Sequence, residues 1–202
     1  LAKAVSAISS SAAPPRLLGA GHLASWASSH PGVVLAFFRH QLSDGLAFEP
    51  WLKKERAELA QFVVLPGRKE SAVAIQRHVA HETPPSPILA VGGPAGSGAS
   101  RLVAESLADS AARIVFVPDA SRAVGLATSL VNQPVATAIL VVDRCSVRIR
   151  AELHSVIKAE SSRLRCIVLL DPSGPASHVD VELGKLAVPD VDNLLEFNFR
   201  EI

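Results

Sequence analysis

The chain has 202 residues, 49% of them hydrophobic and 19% charged, which is typical of a cytoplasmic globular protein with a substantial core. The net charge is +1, so there is no overall basic field of the kind that nucleic-acid binding favours. No apolar stretch reaches the roughly 18 residues that a membrane span needs, and the N-terminus lacks the pattern of a signal peptide.

Residues 1–62 are predicted to form a small helical region, either an N-terminal extension or the end of an upstream module. Residues 1–31 are rich in Ala, Ser and Pro, so we expect a short helix near residues 1–10 and then a loop. Residues 32–62 carry apolar side chains at helical spacing, broken by an Asp-Gly turn and by Pro50, which predicts at least two helices. Their aromatic residues are interpreted as core or as a docking face. Because the sequence begins with Leu and contains no Met, we expect a piece of a longer chain.

Residues 63–202 alternate short apolar runs with helical patterns, which predicts an α/β domain with a mainly parallel, five-stranded sheet. The predicted strands are residues 88–91, 113–117, 138–142, 166–170 and 194–197. The predicted helices are residues 70–81, 100–110, 121–130 and 148–160. Cys145 and Cys166 lie in or beside apolar runs, so we predict buried, reduced thiols in preference to a disulfide.

A glycine-rich segment follows the first predicted strand. It matches the phosphate-loop pattern GxxxxGK, followed by Ser or Thr, at every defined position except the lysine, which is Ala99. Glycines let the backbone wrap closely around an anion, and the next helix adds its positive dipole end. A tight turn without a ligand is the alternative. The residues predicted to bind a nucleotide phosphate are Gly93, Gly96, Ser97, Gly98, Ala99 and Ser100, and the Ser100 hydroxyl either caps the helix or ligates Mg²⁺.

Ala99 removes the ammonium group that would reach the β- and γ-phosphates. A charge-assisted hydrogen bond contributes roughly 1.5–3 kcal/mol, so we expect a loss of about ten- to hundred-fold in affinity. The effect on hydrolysis should be larger, because charge develops on the γ-phosphoryl group in the transition state. The alanine is either a natural change or an engineered one.

An acidic residue ends the third predicted strand. The apolar run that closes on Asp143 is typical of a Walker B strand, which places a carboxylate beside the phosphate loop. Asp143 is our candidate catalytic residue and, with Ser100, our candidate ligand of Mg²⁺. The next residue, Arg144, stands where many ATPases of this build have a glutamate, and an arginine cannot act as a base. Two altered positions favour natural degeneracy. Arg144 is interpreted as a contact to a phosphate or a neighbouring chain, or as a surface ion pair.

The order of these motifs resembles the STAND class of signal-transduction ATPases, which are relatives of AAA+ proteins. A Pro-Gly-Arg-Lys-Glu segment precedes a helix, the glycine-rich loop and then Val-Val-Asp-Arg. The resemblance covers residues 63–202 and implies that Val64 and Arg68 lie where that class holds the adenine, although a solvated turn is the alternative for Arg68. It also implies a cytoplasmic switch that binds ATP or ADP with Mg²⁺ and governs self-association or binding of a protein partner. The lid and downstream domains of that class would lie beyond residue 202.

The departures at Ala99 and Arg144 make slow or absent hydrolysis our expectation, and they leave enzymatic activity undecided. One alternative is a scaffold for protein assembly that kept the fold and lost the nucleotide. Another is an ATPase that regulates DNA transactions, but the basic residues form no stripe with interleaved aromatic residues. The seven histidines show no metal-binding spacing. Asp171 and Ser173, after the fourth predicted strand, are interpreted as turn residues in preference to a phosphate sensor.

Overall fold

A mostly parallel β-sheet of six strands, with helices on both faces, organises the computed structural model, which describes residues 19–37, 45–57, 65–81, 84–173 and 178–185. The strands in chain order are β1 (Leu46–Ala47), β2 (Ile88–Gly92), β3 (Ile114–Val117), β4 (Ala138–Cys145), β5 (Leu164–Leu170) and β6 (Val181–Glu182). Across the sheet they lie in the order β1-β3-β4-β5-β2-β6, and every pair is parallel except β1 and β3. This architecture confirms the predicted α/β fold with a mainly parallel sheet.

Four of the predicted strands are confirmed as β2 to β5, whose apolar runs are buried on both faces of the sheet. The strand that we expected at residues 194–197 lies outside the described residues. The described sheet nevertheless has six strands rather than five. The strands β1 and β6 were not predicted, because two residues are too few to show a periodic pattern.

The described helices in chain order are α1 (Ala20–Ser29), α2 (Pro31–Phe37), α3 (Phe48–Ala57), α4 (Lys69–Ala80), α5 (Ala99–Ser106), α6 (Ala123–Val131) and α7 (Val147–Ile157). Short 3₁₀ turns lie at Pro66–Arg68, Ala108–Arg113, Ala120–Arg122 and Lys158–Glu160. The four helices predicted after residue 63 are confirmed as α4 to α7, with 3₁₀ geometry at several ends. Nowhere in the described residues does a helix combine the length and apolarity that a bilayer crossing demands.

Two expectations for the N-terminal region were wrong. The loop expected after residue 10 contains α1, because residues 20–29 include three alanines and no proline, and Pro31 itself begins α2. Pro50 does not divide two helices, since it lies in the first turn of α3, where a backbone N–H would have no helical partner. The short helix predicted near residues 1–10 lies outside the described residues.

The two faces of the sheet form two hydrophobic clusters, because alternate side chains of a strand point in opposite directions. Along β4, Leu140 belongs to the cluster formed with α6 and α7. Ile139 belongs to the cluster formed with α3, α4 and α5. We call the second side of the sheet the α5 face, and the candidate site lies at its edge.

Residues 45–57 pack into the main core, although they fall in the predicted N-terminal extension. Leu46 pairs with Phe116 of β3. Trp51 is fully buried, and its indole stacks on the Phe116 ring with 4.5 Å between ring centroids. Phe48 is also buried and packs edge-on against Trp51. These aromatic side chains are therefore core residues of the α5 face, while the domain boundary at residue 62 stays a prediction.

Both cysteines are buried and free, which confirms that they form no disulfide. Burial raises the pKa of Cys145 to about 11 and the pKa of Cys166 well above its usual value. Both thiols are therefore protonated at neutral pH and act as small core side chains.

One histidine is buried between α4 and β5. His78 is 8% exposed, and its Nε2 has no hydrogen-bond partner among the described residues. Burial, followed by the positive charge of Arg165, lowers the pKa of His78 from 6.5 to about 4. The side chain is therefore neutral in the folded protein at neutral pH.

Replacing Trp51 by alanine should lower the free energy of unfolding by about 3–5 kcal/mol, because it removes a large side chain from a closed core. Trp26 of α1 is 46% exposed, so Trp26→Ala should change the same quantity by less than about 0.5 kcal/mol. Urea unfolding followed by circular dichroism would measure both variants. Equal effects would contradict the packing of residues 45–57 into the core.

Acidification should destabilise the fold through His78. Its pKa is lower in the folded state than in the unfolded state, so the unfolded chain takes up a proton first as the pH falls below 6.5. Between pH 7 and pH 5 this group should reduce the free energy of unfolding by about 2 kcal/mol. Urea titrations at the two pH values should show that His78→Gln loses this component, while the exposed-site variant His81→Gln keeps the wild-type difference.

Candidate functional site

The glycine-rich segment forms a tight loop between the carboxyl end of β2 and the start of α5. Gly96 and Gly98 have φ values of 78° and 75°, a region that side chains disfavour. Gly98 is the N-cap of α5, and its carbonyl accepts a hydrogen bond from the Leu102 N–H at 2.9 Å. Because no side chain caps this end of α5, the first N–H groups of the helix are open to an anion.

Ser97 and Gly93 close the inner side of the loop. The Ser97 N–H donates to the Pro94 carbonyl at 3.0 Å, and the side chain is 4% exposed. A Cβ atom at Gly93 would lie 2.7 Å from both Ser97 Oγ and the Leu183 carbonyl oxygen. The loop therefore packs directly on the chain that follows β6, which is possible only because residue 93 has no side chain. The Ser97 hydroxyl lies on this packed side, whereas Gly96 and Gly98 are exposed.

Ala99 and Ser100 form the first turn of α5, and both are partly exposed. Their position puts the backbone N–H groups of residues 99 and 100 at the open end of the helix. Ala99 presents only a methyl group there. The cation of the usual phosphate loop is thus missing at the point where sequence analysis placed it.

Arg68 contacts the same loop from the outside. Its guanidinium donates to the Ser97 carbonyl and, at 3.4 Å, to the Gly184 carbonyl. Its Nη1 atom would lie 3.3 Å from a Cβ atom at Gly98. A permanent positive charge therefore lies beside the loop and links it to the chain after β6. Val64, which we predicted to lie with Arg68 near the adenine, is outside the described residues.

Asp143 lies at the same edge of the sheet as the loop. Val141 belongs to the α5 face, and strand alternation places Asp143 on that face as well. Both β2 and β4 pair with β5, where Val91 is opposite Leu169 and Val142 is opposite Val168. Two strand spacings, roughly 10 Å, therefore separate the backbone of Asp143 from the base of the loop. The carboxylate is 25% exposed.

Arg144 interrupts β4 directly after this carboxylate. The register with β5 shifts between Val142 and Cys145, and Arg144 has a φ of 47°, the one positive value at a non-glycine among the described residues. A left-handed backbone costs an L-residue roughly 1–2 kcal/mol. The Arg144 N–H donates to Asp143 Oδ1 at 3.0 Å, and its Nε lies 3.6 Å from Oδ2. Its side chain is 75% exposed.

Asp171 follows β5, the strand between β4 and β2. Its Oδ1 accepts hydrogen bonds from the Ser173 hydroxyl at 2.6 Å and the Ser173 N–H at 2.9 Å, so the turn expected here is formed. These two hydrogen bonds, and to a smaller extent the charge of Arg144, lower the pKa of the Asp171 carboxyl. The influence of Arg144 on Asp171 was not predicted, because it depends on the pairing of β4 with β5.

A divalent cation would need more ligands than these carboxylates provide. Across the described parts of the chain, no group of three or more His, Cys, Asp and Glu residues is placed to hold a metal ion. Ser100 and Asp143 can supply two oxygen ligands for Mg²⁺, which usually completes its coordination with water and phosphate oxygens.

Comparisons with known proteins give matches only among solved structures, since no protein-family model and no curated protein matches the chain. The Hsp104:casein complex of S. cerevisiae in its extended conformation has 12% identity and a TM-score of 0.47, covering 77% of this chain and 32% of that one. AMPPCP-bound DnaA from Aquifex aeolicus has 12% identity and a TM-score of 0.46, covering 70% and 53%. PCH-2 of C. elegans has 12% identity and a TM-score of 0.38, covering 57% and 41%.

This chain spans about a third to about half of the length of these proteins. Because the identities are 12% and the TM-scores are below 0.5, the function proposed below rests on the residues of this chain.

Replacing Gly98 by alanine should lower the free energy of unfolding by about 1–2 kcal/mol, because its φ of 75° strains any residue with a Cβ atom. Gly125 in α6 is the matched control, since among the described residues no atom beyond its chain neighbours and the nearby helix backbone lies within 4 Å of a Cβ built there. Gly125→Ala should raise the stability by about 0.5–1 kcal/mol. Urea unfolding would compare the two, and effects of the same sign would contradict the left-handed loop.

Proposed function

We propose that this chain is a nucleotide-binding domain of AAA+ type that holds the phosphates of ATP or ADP in the loop between β2 and α5. The observation that carries the proposal is the uncapped start of α5, opened by two left-handed glycines at the carboxyl edge of a parallel sheet. An anion at this position would accept hydrogen bonds from backbone N–H groups and interact with the positive end of the helix dipole.

Backbone groups supply most of the proposed phosphate contacts. The proposed donors are the N–H groups of Gly96 and of residues 98–100, since the Ser97 N–H already donates to the Pro94 carbonyl. The Ser100 hydroxyl and the Asp143 carboxylate are the proposed ligands of an accompanying Mg²⁺. Gly93 and the Ser97 side chain have a supporting role in this proposal, because they fix the loop against the Leu183 backbone. Amides that are already ordered bind an anion without a large entropic cost, so binding does not require the missing lysine.

Arg68 makes the site suitable for a switch of the STAND type. One guanidinium joins the Ser97 carbonyl, inside the loop, to the Gly184 carbonyl, in the chain that leads away from β6. A nucleotide that changes the loop would therefore also change the contact to the downstream chain. In our proposal, the bound nucleotide governs in this way how the chain associates with a further copy or with a protein partner.

Hydrolysis should be slow or absent. Ala99 has no ammonium group to stabilise the charge that develops on the γ-phosphoryl group. Arg144 stands where a general base would act and cannot accept a proton at neutral pH. The chain would then respond to nucleotide binding and release rather than to turnover.

A nucleotide-free scaffold for protein assembly is the second candidate. The contact between Arg144 and Asp143 favours it, since the carboxylate that would bind a metal ion already has a cationic partner. The two candidates differ in whether nucleotide stabilises the fold.

Thermal unfolding with Mg-ATP and Mg-ADP tests the proposal. A nucleotide at 100 times its Kd should stabilise the fold by about 2.7 kcal/mol. Ala99→Lys should restore the missing charge and tighten ATP binding by about ten- to hundred-fold. Ala108→Lys, at an exposed position beyond α5, is the control for added charge and should leave the affinity unchanged. If neither the wild type nor Ala99→Lys is stabilised at millimolar nucleotide, the scaffold is the better description.

A further inference from the structure

We propose that Arg144 binds the terminal phosphate of ATP and so makes the pocket selective for triphosphate over diphosphate. The proposal rests on the nucleotide-binding function proposed above and names a further binding residue of the same site. Arg144 would supply, from the end of β4, the positive charge that Ala99 does not supply from the start of α5.

The position of Arg144 fits this role. Its backbone is about two strand spacings, roughly 10 Å, from the base of the loop. An arginine side chain reaches about 7 Å from its Cα atom, given bonds of about 1.5 Å. A nucleotide that placed its β-phosphate in the loop would carry the next phosphate across this gap, towards β4.

The contact between Arg144 and Asp143 places the guanidinium at the edge of the sheet that carries the loop. The Arg144 Nε lies 3.6 Å from Asp143 Oδ2. Strand alternation from Val141 puts Asp143 on the α5 face. Because only β5 lies between β4 and β2, an arginine beside this carboxylate is one strand away from the loop.

The present partners of Arg144 can release it. The 3.6 Å separation from Asp143 is longer than a good hydrogen bond, and the side chain is 75% exposed. By contrast, Arg101 of α5 is buried and donates to Glu105 at 2.8 Å and to the Glu55 carbonyl at 2.8 Å, on the α3 side. Arg144 is therefore an exposed arginine at this edge that can turn to a phosphate at little cost.

The same movement would prepare the metal site. When the Arg144 guanidinium turns to a phosphate oxygen, the Asp143 Oδ2 loses its cationic neighbour and becomes available to Mg²⁺. In the free protein, the arginine is the cationic neighbour of this carboxylate. ATP would thus bring the Arg144 guanidinium, the Asp143 carboxylate and Mg²⁺ together at its phosphates.

The backbone conformation of Arg144 allows an independent test of the proposal. Its φ of 47° is unfavourable for arginine and unproblematic for glycine. Replacing Arg144 by glycine should therefore raise the melting temperature of the free protein while weakening ATP binding. If Arg144 had only a structural role, this substitution would not raise the melting temperature and weaken ATP binding at the same time.

Isothermal titration calorimetry with ATP and with ADP, both with Mg²⁺, tests the assignment. Arg144→Gln should weaken ATP binding by about ten- to hundred-fold and ADP binding by less than about three-fold. Arg144→Lys should retain most of the ATP affinity. Arg148→Gln removes the same charge from the exposed surface of α7, where the side chain is 88% exposed, and should change neither affinity.

A double-mutant cycle gives the sharpest result. In the Ala99→Lys background, the effect of Arg144→Gln on ATP binding should shrink to a few-fold, because the new ammonium group occupies the same phosphate oxygens. Equal losses for ATP and ADP, or unchanged ATP binding in Arg144→Gln, would overturn the role of Arg144 and leave the nucleotide site intact. Absence of binding by both the wild type and Ala99→Lys would instead remove the proposed function, and this inference with it.

Discussion

Parallel pairing of β2, β5 and β4 is the constraint on which the candidate site depends. Parallel neighbours bring their carboxyl ends to one edge of the sheet, so three segments that are far apart in sequence become adjacent there. These segments are the glycine-rich loop after β2, the Asp171 turn after β5, and Asp143 with Arg144 at the end of β4. Without this pairing, the charged side chains would have no common edge to occupy.

The two hydrophobic clusters determine on which side of that edge the candidate site lies. Asp143 faces the side covered by α3, α4 and α5, and the loop begins α5 itself. Trp51 and Phe116 fill the space behind α5, so the N-terminal segment supports the helix whose open end faces the loop. The N-terminal residues thus contribute to the site without containing any motif of their own.

Local patterns in the sequence were sufficient to predict much of this arrangement. The strands β2 to β5 are long apolar runs, and the loop motif is contained in eight consecutive residues, so neither depends on distant partners. The short strands β1 and β6 exist only because β3 and β2 offer free edges, which no local pattern reveals. For α1, the proline-rich flanks suggested a loop, although the helical segment itself contains no proline.

Two features of the site depend on tertiary contacts and were beyond prediction from single residues. Arg68 could be singled out only by resemblance, and its bond to the Ser97 carbonyl comes from the way α4 packs beside α5. The left-handed backbone of Arg144 follows from the register shift between β4 and β5, since arginine has no preference for that conformation. The sequence therefore indicated which residues to consider, while the sheet determined their distances.

The contact between Gly93 and Leu183 has a consequence for how the site communicates. A single added methyl group at Gly93 would meet the Leu183 carbonyl oxygen at 2.7 Å, so the loop and the chain after β6 are in close contact. Energetic coupling between two sites is reciprocal. If a phosphate narrows the range of positions open to the downstream chain, then a partner that restrains this chain must raise the affinity for phosphate by the same factor. In the function proposed here, a partner bound to the chain after β6 would thereby regulate nucleotide affinity without any hydrolysis.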